Sequence, residues 1–271
     1  MKIINLVENT STEQCQGEHG LSFYIETEKH KLLLDSGTTD LFLENASILG
    51  IDLTQVDTTI LSHGHYDHGG GLLSFTKINP KADIYVRDNA GGDFYHVIGE
   101  EKKYIGIDKE IMKLPQVKLV EGDVKLDEEL FLFSNIKGAR YPAWSNGELK
   151  EKVGEDYVQD DFSHEQCLVI RQGNQSVLLS GCAHSGILSI LDRYRELFDS
   201  YPDLVISGFH MMKKTDYSKE EVQYIEKTAK ELLKTGAIFY SGHCTGRRAF
   251  AIMKKIMGDN LQCLQSGSQI M

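Results

Sequence analysis

The chain has 271 residues, with 29 Lys plus Arg against 40 Asp plus Glu, a formal charge of −11 at pH 7. Apolar residues make up 41% and charged residues 25%, which excludes a disordered chain, and no apolar run approaches the ~18 residues of a membrane helix. The acidic balance argues against a phosphate-backbone partner, which needs a basic face, so a small-molecule substrate is expected and neither nucleic acid nor membrane.

The start, MKIINLVENTSTEQ, lacks the basic region, apolar stretch and cleavage site of a signal peptide. Cys15, Cys167, Cys182, Cys244 and Cys263 are odd in number, widely spaced and form no CxxC pair. That is not a disulfide framework, and a reducing, cytoplasmic location is expected.

In chain order, Lys2–Val7, Leu21–Glu26 and Lys31–Asp35 read as strands. A short helix is expected over Asp40–Leu49, stopped by Gly50. Thr58–Ser62 is a strand that runs straight into HGHYDHGGG, and a helix starts near Leu72. Strands follow at Gln166–Arg171 and Ser176–Ser180, then a helix over Gly186–Phe198 and a strand at Leu204–Ser207. Ser218–Lys234 carries a capping box, Ser218-x-x-Glu221, and an apolar face at Val222, Ile225, Leu232 and Leu233. Ala237–Ser241 is a strand, Arg247–Met257 a helix, and Leu261–Leu264 a closing strand. Strands then helices, twice over, fit two sheets packed face to face with helices outside, and no linker divides the halves. Two segments break the pattern, Asp88–Pro115 and Lys137–Glu165. They read as long irregular loops, rich in aromatics such as Phe94, Tyr95, Tyr141, Trp144 and Phe162, of the kind that cover sites.

The chemistry concentrates in His63-Gly64-His65-Tyr66-Asp67-His68. In an extended backbone His63 and His65 project to one side, and a turn after Tyr66 brings Asp67 and His68 round to a second ion. Imidazole and carboxylate donors suit zinc first, with Mn or Fe as alternatives. No GxGxxG after a strand, GxxxxGK[ST] or GxSxG is present, so nucleotide cofactors and a serine hydrolase have no support. Thr245-Gly246-Arg247-Arg248 opens a helix, which hints at phosphate binding, though a solvated helix face is the plainer reading.

His-x-His-x-Asp-His after an apolar strand resembles the signature of the metallo-β-lactamase superfamily, and Leu32-Leu33-Leu34-Asp35-Ser36-Gly37 is similar to its earlier motif. Leu178 to Gly186 (LLSGCAHSG), Gly208-Phe209-His210 and Gly242-His243-Cys244-Thr245-Gly246 resemble the branch of 7,8-dihydropterin-6-methyl-4-(ribofuranosyl)aminobenzene 5′-phosphate synthase-like metallohydrolases. The resemblance implies an α/β fold, the αββα sandwich, as one domain over residues 1–271, with two divalent ions at one edge of the sheets. It implies that His63, His65 and His184 hold one ion and Asp67, His68 and His243 the other. Cys182 is expected between or beside them, and Asp35 supports the metal loop without binding. Asp67 and His210 are expected to take part in the chemistry, His210 as proton donor or oxyanion partner. His164 and Glu165, where the pattern departs from the superfamily, are possible ligands, with a solvated loop as the simpler reading. His19 and His30 read as surface residues and His96 as part of a lid. The expected activity is metal-dependent hydrolysis at a carbonyl or phosphoryl centre. The alternatives are a pterin-linked transferase and a non-catalytic metal or redox sensor using Cys182 and Cys244.

Overall fold

Most of the apolar runs become strands buried on both faces. The computed structural model describes residues 1–137 and 144–271; Tyr141 and the side chain of Trp144 fall outside that description. The first half runs β1 (Lys2–Val7), β2 (Ser22–Glu26), β3 (Lys31–Leu34), α1 (Leu41–Ile48), β4 (Thr58–Ile60), the single turn α2 (Tyr66–Gly69) and α3 (Leu72–Ile78). It continues through β5 (Asp83–Arg87), β6 (Phe94–Ile98), β7 (Glu101–Tyr104), β8 (Val117–Val120) and β9 (Val124–Lys125). The second half runs β10 (Leu130–Phe133), β11 (Leu149–Val153), β12 (Asp156–Gln159), β13 (Cys167–Gln172), β14 (Gln175–Leu179) and α4 (Ile187–Phe198). It ends with β15 (Leu204–Ile206), α5 (Lys219–Leu233), β16 (Ile238–Ser241), α6 (Arg247–Met257) and β17 (Leu261–Cys263).

Six strands form one sheet in the order β1-β2-β3-β4-β5-β8, and seven form another, β17-β16-β15-β14-β13-β10-β9. Phe23, Leu32 and Ile60 of the first meet Leu130, Leu168 and Ile206 of the second in a common apolar layer. Phe42 of α1 and Phe75 of α3 cover the outer face of the first sheet. Leu191, Ile225 and Met253 of α4, α5 and α6 cover that of the second. The capping box of α5 forms as expected: the Ser218 hydroxyl accepts from the Glu221 N–H and the Glu221 carboxylate accepts from the Ser218 N–H.

Strand direction decides where the site lies. β3, β4 and β5 are mutually parallel, as are β14, β15, β16 and β17. Parallel strands deliver their carboxyl ends, and the loops that follow, to one edge of a sheet. Asp35, His63, Cys182, His210 and His243 all follow such ends.

The two segments read as irregular loops do not stay irregular. β6 and β7 from the first pair with β11 and β12 from the second in an antiparallel sheet, β12-β11-β6-β7. Leu149 lies opposite His96, Tyr95 opposite Tyr104 and Lys152 opposite Tyr157. The Tyr95 ring packs at 5.4 Å from Tyr104 and 5.1 Å from Tyr157. These strands are polar and half-exposed, so hydrophobic alternation does not mark them, and the two hairpins become one sheet only where β6 meets β11, distant in sequence. Among the described residues no helix is long and apolar enough to cross a membrane.

Candidate metal centre

β4 ends at Ile60, the chain bends at His63 and Gly64, and from an extended His65 (φ −97°, ψ 146°) α2 turns Asp67 and His68 back. The His63 and His65 rings come to 4.7 Å, and His184, from the loop after β14, lies 4.9 Å from each. His68 and His243 face each other with their Nε2 atoms 3.3 Å apart, and Asp67 Oδ2 is 3.3 Å from His243 Nε2. The Cys182 thiol lies 3.2 Å from His68 Nε2. Donor atoms cluster as His63, Cys182 and His184 on one side and His68, Cys182 and His243 on the other, so Cys182 belongs to both groups. His19, Asp67 and His243 form a third group and His65, Asp160 and His164 a fourth, which ring contacts of His65 with His63 and His184 and the Asp67–His243 pair join to the first two.

Hydrogen bonds from the surrounding shell hold the Nδ1 atoms of His63, His68, His184 and His243. His68 Nδ1 donates to Asp35 Oδ2 at 2.7 Å. The Ser62 hydroxyl donates to the same carboxylate at 2.7 Å and accepts from His63 Nδ1 at 2.9 Å. The Ser62 N–H gives Asp35 a third bond, also at 2.7 Å. One buried carboxylate thus fixes the tautomer of two rings, His63 through Ser62 and His68 directly. Asn146 Oδ1 takes His184 Nδ1 at 3.3 Å, and Asn9 Oδ1 takes His243 Nδ1 at 2.8 Å. As a result the Nε2 atoms of His63, His65 and His184 are buried without any hydrogen-bond partner. Orphaned buried acceptors are costly. A donor set of imidazoles, a thiol and a carboxylate gathered together fits divalent cations of the zinc type.

Electrostatics agree. Burial, then the neighbouring imidazoles, pushes His63 and His184 well below the usual histidine range, and His65 down to about 3. These rings are neutral at pH 7, the state that ligates. Burial works against the charge of Asp67, but His68 and the hydrogen bond from His243 outweigh it and hold the carboxyl well below its ordinary range. Burial likewise opposes a charged His243, yet the Asp67 hydrogen bond lifts it to about 9. In the metal-free chain a proton on His243 Nε2 stands where a cation would. Burial pushes the Cys182 thiol up, a direction that a bound cation reverses.

The backbone is strained here too. Asp35 (φ 57°), Ala183 (φ 53°), His210 (φ 46°) and His243 (φ 48°) are non-glycine residues in the left-handed region, each costing roughly 1–3 kcal/mol. Gly64 has no room for a side chain: a Cβ there would lie 2.2 Å from the Ala90 carbonyl oxygen.

The profile of the metallo-β-lactamase superfamily matches residues 16–143. The solved structure of Tm1679, described as a metal-dependent hydrolase of the β-lactamase superfamily, is 30% identical, with a TM-score of 0.84, over 100% of this chain and 98% of that one. This chain belongs to the metallo-β-lactamase superfamily. A Methanocaldococcus jannaschii protein named 7,8-dihydropterin-6-methyl-4-(β-D-ribofuranosyl)-aminobenzene-5′-phosphate synthase is 28% identical over 297 residues, covering 100% of this chain and 96% of its own. An uncharacterized protein of the same organism is 26% identical over 267 residues, 93% of each chain. As a member of the superfamily the chain has the fold of its metal-dependent hydrolases.

Other residues move from their expected places. His164 and Glu165 are buried, not in a solvated loop, and both are spent within the protein. His164 Nδ1 accepts from the Gly64 N–H at 3.0 Å and Nε2 donates to Asp160 at 3.2 Å. The Glu165 oxygens accept from the His184 and Ser185 N–H groups at 2.7 and 3.0 Å, which holds the loop carrying His184. His19 is exposed, as expected, yet its Nε2 is 3.3 Å from Asp67 Oδ2 and its ring stacks on His243. His30 bridges Asp57 and Asp127 at 2.8 and 2.7 Å, a tie between the β2–β3 turn and the β9–β10 loop. His96 sits on β6, paired with Glu148 at 2.9 Å. His210 lies with its ring 4.2 Å from that of His184. The helix-start phosphate hint at Arg247 and Arg248 gains nothing: Met212 sits against Gly246, and Arg248 is engaged by Thr215 and Asp216. Sequence reasoning missed Ser62, Asn9, Ser145 and Asn146. Only Ser62, adjacent to the motif, carried a signal.

Proposed function

We propose that this chain is a hydrolase with a dinuclear centre, one ion held by His63, His65 and His184, the other by Asp67, His68 and His243, with Cys182 between them. The single observation that carries this reading is the pair of donor groups sharing one thiol, with three ring nitrogens left unpartnered inside. Bound divalent ions supply Lewis acidity and a nucleophilic water near neutral pH.

The protein's own part is positioning and proton handling. Asp35 and Ser62 aim two rings, and Asn146 aims a third. The Ser145 hydroxyl is 2.6 Å from the His210 carbonyl oxygen and 2.7 Å from His210 Nδ1. Two oxygens that close need the hydrogen between them, so Ser145 donates to the carbonyl and accepts from Nδ1–H. His210 Nε2 then carries a lone pair, and burial, then His243, lowers its pKa to about 4. The ring is neutral at pH 7, so its free nitrogen can take a proton from the attacking water and hand it to the leaving group.

Metal analysis of the purified protein tests the centre; fewer than one ion per chain after growth in several metals overturns it. A panel of phosphodiester, carboxylic ester and thioester substrates, with His210→Ala as control, tests the reaction. A second reading rests on the name of the Methanocaldococcus jannaschii relative, a phosphate synthase. Product formation from a pterin and an aminobenzene phosphate, with no hydrolysis of the panel, favours that transferase.

A further inference from the structure

We propose that Lys103 and the hydroxyl of Tyr66 form an anion subsite at the rim of the cluster, so that the substrate carries a phosphate or similar dianion beyond the bond that is cut. The proposal rests on the reading of the cluster as a reactive centre and adds the substrate class to it.

The placement of Lys103 comes from strand register. On β7 it lies opposite His96, which lies opposite Leu149 on β11, so the three side chains share one face of the small sheet. Leu149 on that face is buried with Phe94 and Phe162, and Tyr66 packs against this group. The face is therefore turned toward the metal loop. The Lys103 ammonium lies 5.2 Å from the centre of the Tyr66 ring and 3.5 Å from its hydroxyl. Tyr66 stands between His65 and Asp67, and its N–H donates to the Ile105 carbonyl at 2.9 Å. That bond, with the bridge between His65 and Gly106, ties the strand end carrying Lys103 to the donor loop.

Lys103, like Lys102 and other lysines of the chain, is paired with no carboxylate among the described residues; what sets it apart is the Tyr66 hydroxyl beside it. An ammonium and a hydroxyl side by side, both with hydrogens to give, match two oxygens of one phosphate. A lysine is suited to this as a point charge that follows the anion on a flexible stem.

The test uses equilibrium binding, not turnover. Phenyl phosphate and glycerol 3-phosphate are titrated calorimetrically against phenol and glycerol, with wild type, Lys103→Gln, Lys103→Arg and Tyr66→Phe, each as purified with its metals. The phosphates should bind wild type at least tenfold more tightly than the alcohols. Lys103→Gln should lose about tenfold of that preference, in line with one charge-assisted hydrogen bond. Lys103→Arg should retain most of it, and Tyr66→Phe should lose several-fold. The wild-type affinity should fall with salt more steeply than that of Lys103→Gln. Equal phosphate affinity in wild type and Lys103→Gln, or no preference for phosphate in wild type, overturns the proposal. Because no hydrolysis is read, a protein that binds phosphate through Lys103 but cleaves nothing would overturn the hydrolase reading alone.

Discussion

Asp35→Asn is the most informative single change, because it keeps the shape of a buried side chain and alters only what it accepts. Asp35 takes three hydrogen bonds at 2.7 Å, from the Ser62 N–H, the Ser62 hydroxyl and His68 Nδ1. An amide has one acceptor oxygen, which can keep the Ser62 N–H. Its NH2 group then faces two donors. The Ser62 hydroxyl must turn away, and it already accepts from His63 Nδ1. His68 relieves its clash by moving its proton from Nδ1 to Nε2, the nitrogen that faces Cys182 and His243. The substitution therefore places a proton on a ligand atom. Two charge-assisted bonds are lost, each worth about 1.5–3 kcal/mol before rearrangement, so metal-free protein should lose roughly 2–4 kcal/mol of stability. Loss of an orienting carboxylate typically weakens metal binding about 10- to 100-fold. That corresponds to roughly 1.4–2.8 kcal/mol. Competition with a chelating dye measures the affinity, denaturant titration of chelated protein measures the stability, and nitrogen-15 shifts of the imidazoles report the His68 tautomer. Metal affinity within twofold of wild type with an unchanged unfolding midpoint would refute the reasoning.

Cys182→Ser should weaken both ions together, because the thiol belongs to both donor groups, whereas His184→Asn should weaken one and spare the other; sequential metal release by chelator distinguishes the two patterns. Gly64→Ala should cost about 1–3 kcal/mol and lower metal content, since its Cβ must displace the Ala90 carbonyl and the Phe94 ring; calorimetric unfolding with metal analysis checks both. For His30, desolvation lowers its pKa but the bonds to Asp127 and Asp57 outweigh it, and the folded value is raised. Its stabilising effect is thus full below the unfolded value of ~6.5 and lost as pH rises through the higher folded value. Burial raises the pKa of Asp127, but its hydrogen bonds, first that to His30, lower it overall, and its contribution is lost only as pH falls through that depressed value. His30→Ala should therefore cost about 0.5–1 kcal/mol near pH 5–6, a range discounted for solvent screening, and much less at pH 9; equal losses at both pH values would count against the pairing.

Much of this was written locally. The long apolar strands, the capped helix Lys219–Leu233 and the donors of the His63–His68 run all announce themselves within a dozen residues. Asp35, His184 and His243 came from resemblance, and their places at the ends of parallel strands agree with it. What stayed hidden depends on partners far away in the chain. Glu101–Tyr104 is exposed along its whole length, and its strand exists only because β6, itself backed by β11, lies beside it. Ser145 and Asn146 look like ordinary loop residues until the fold sets them against His210 and His184. His164 and Glu165 looked like solvent-facing polar residues because nothing in their neighbours reveals that the Gly64 and His184 amides wait for them.

The small sheet is assembled from two insertions that have no strand pairing within the large sheets. Its central seam, β6 against β11, joins stretches more than fifty residues apart. The groups proposed to hold ions sit on loops anchored to the large sheets, while the small sheet is bolted together from two separately encoded halves. What the protein holds and what it admits are thus inherited on different pieces of chain. A change in either half must still match the other along the seam at His96 and Leu149 for the small sheet to form.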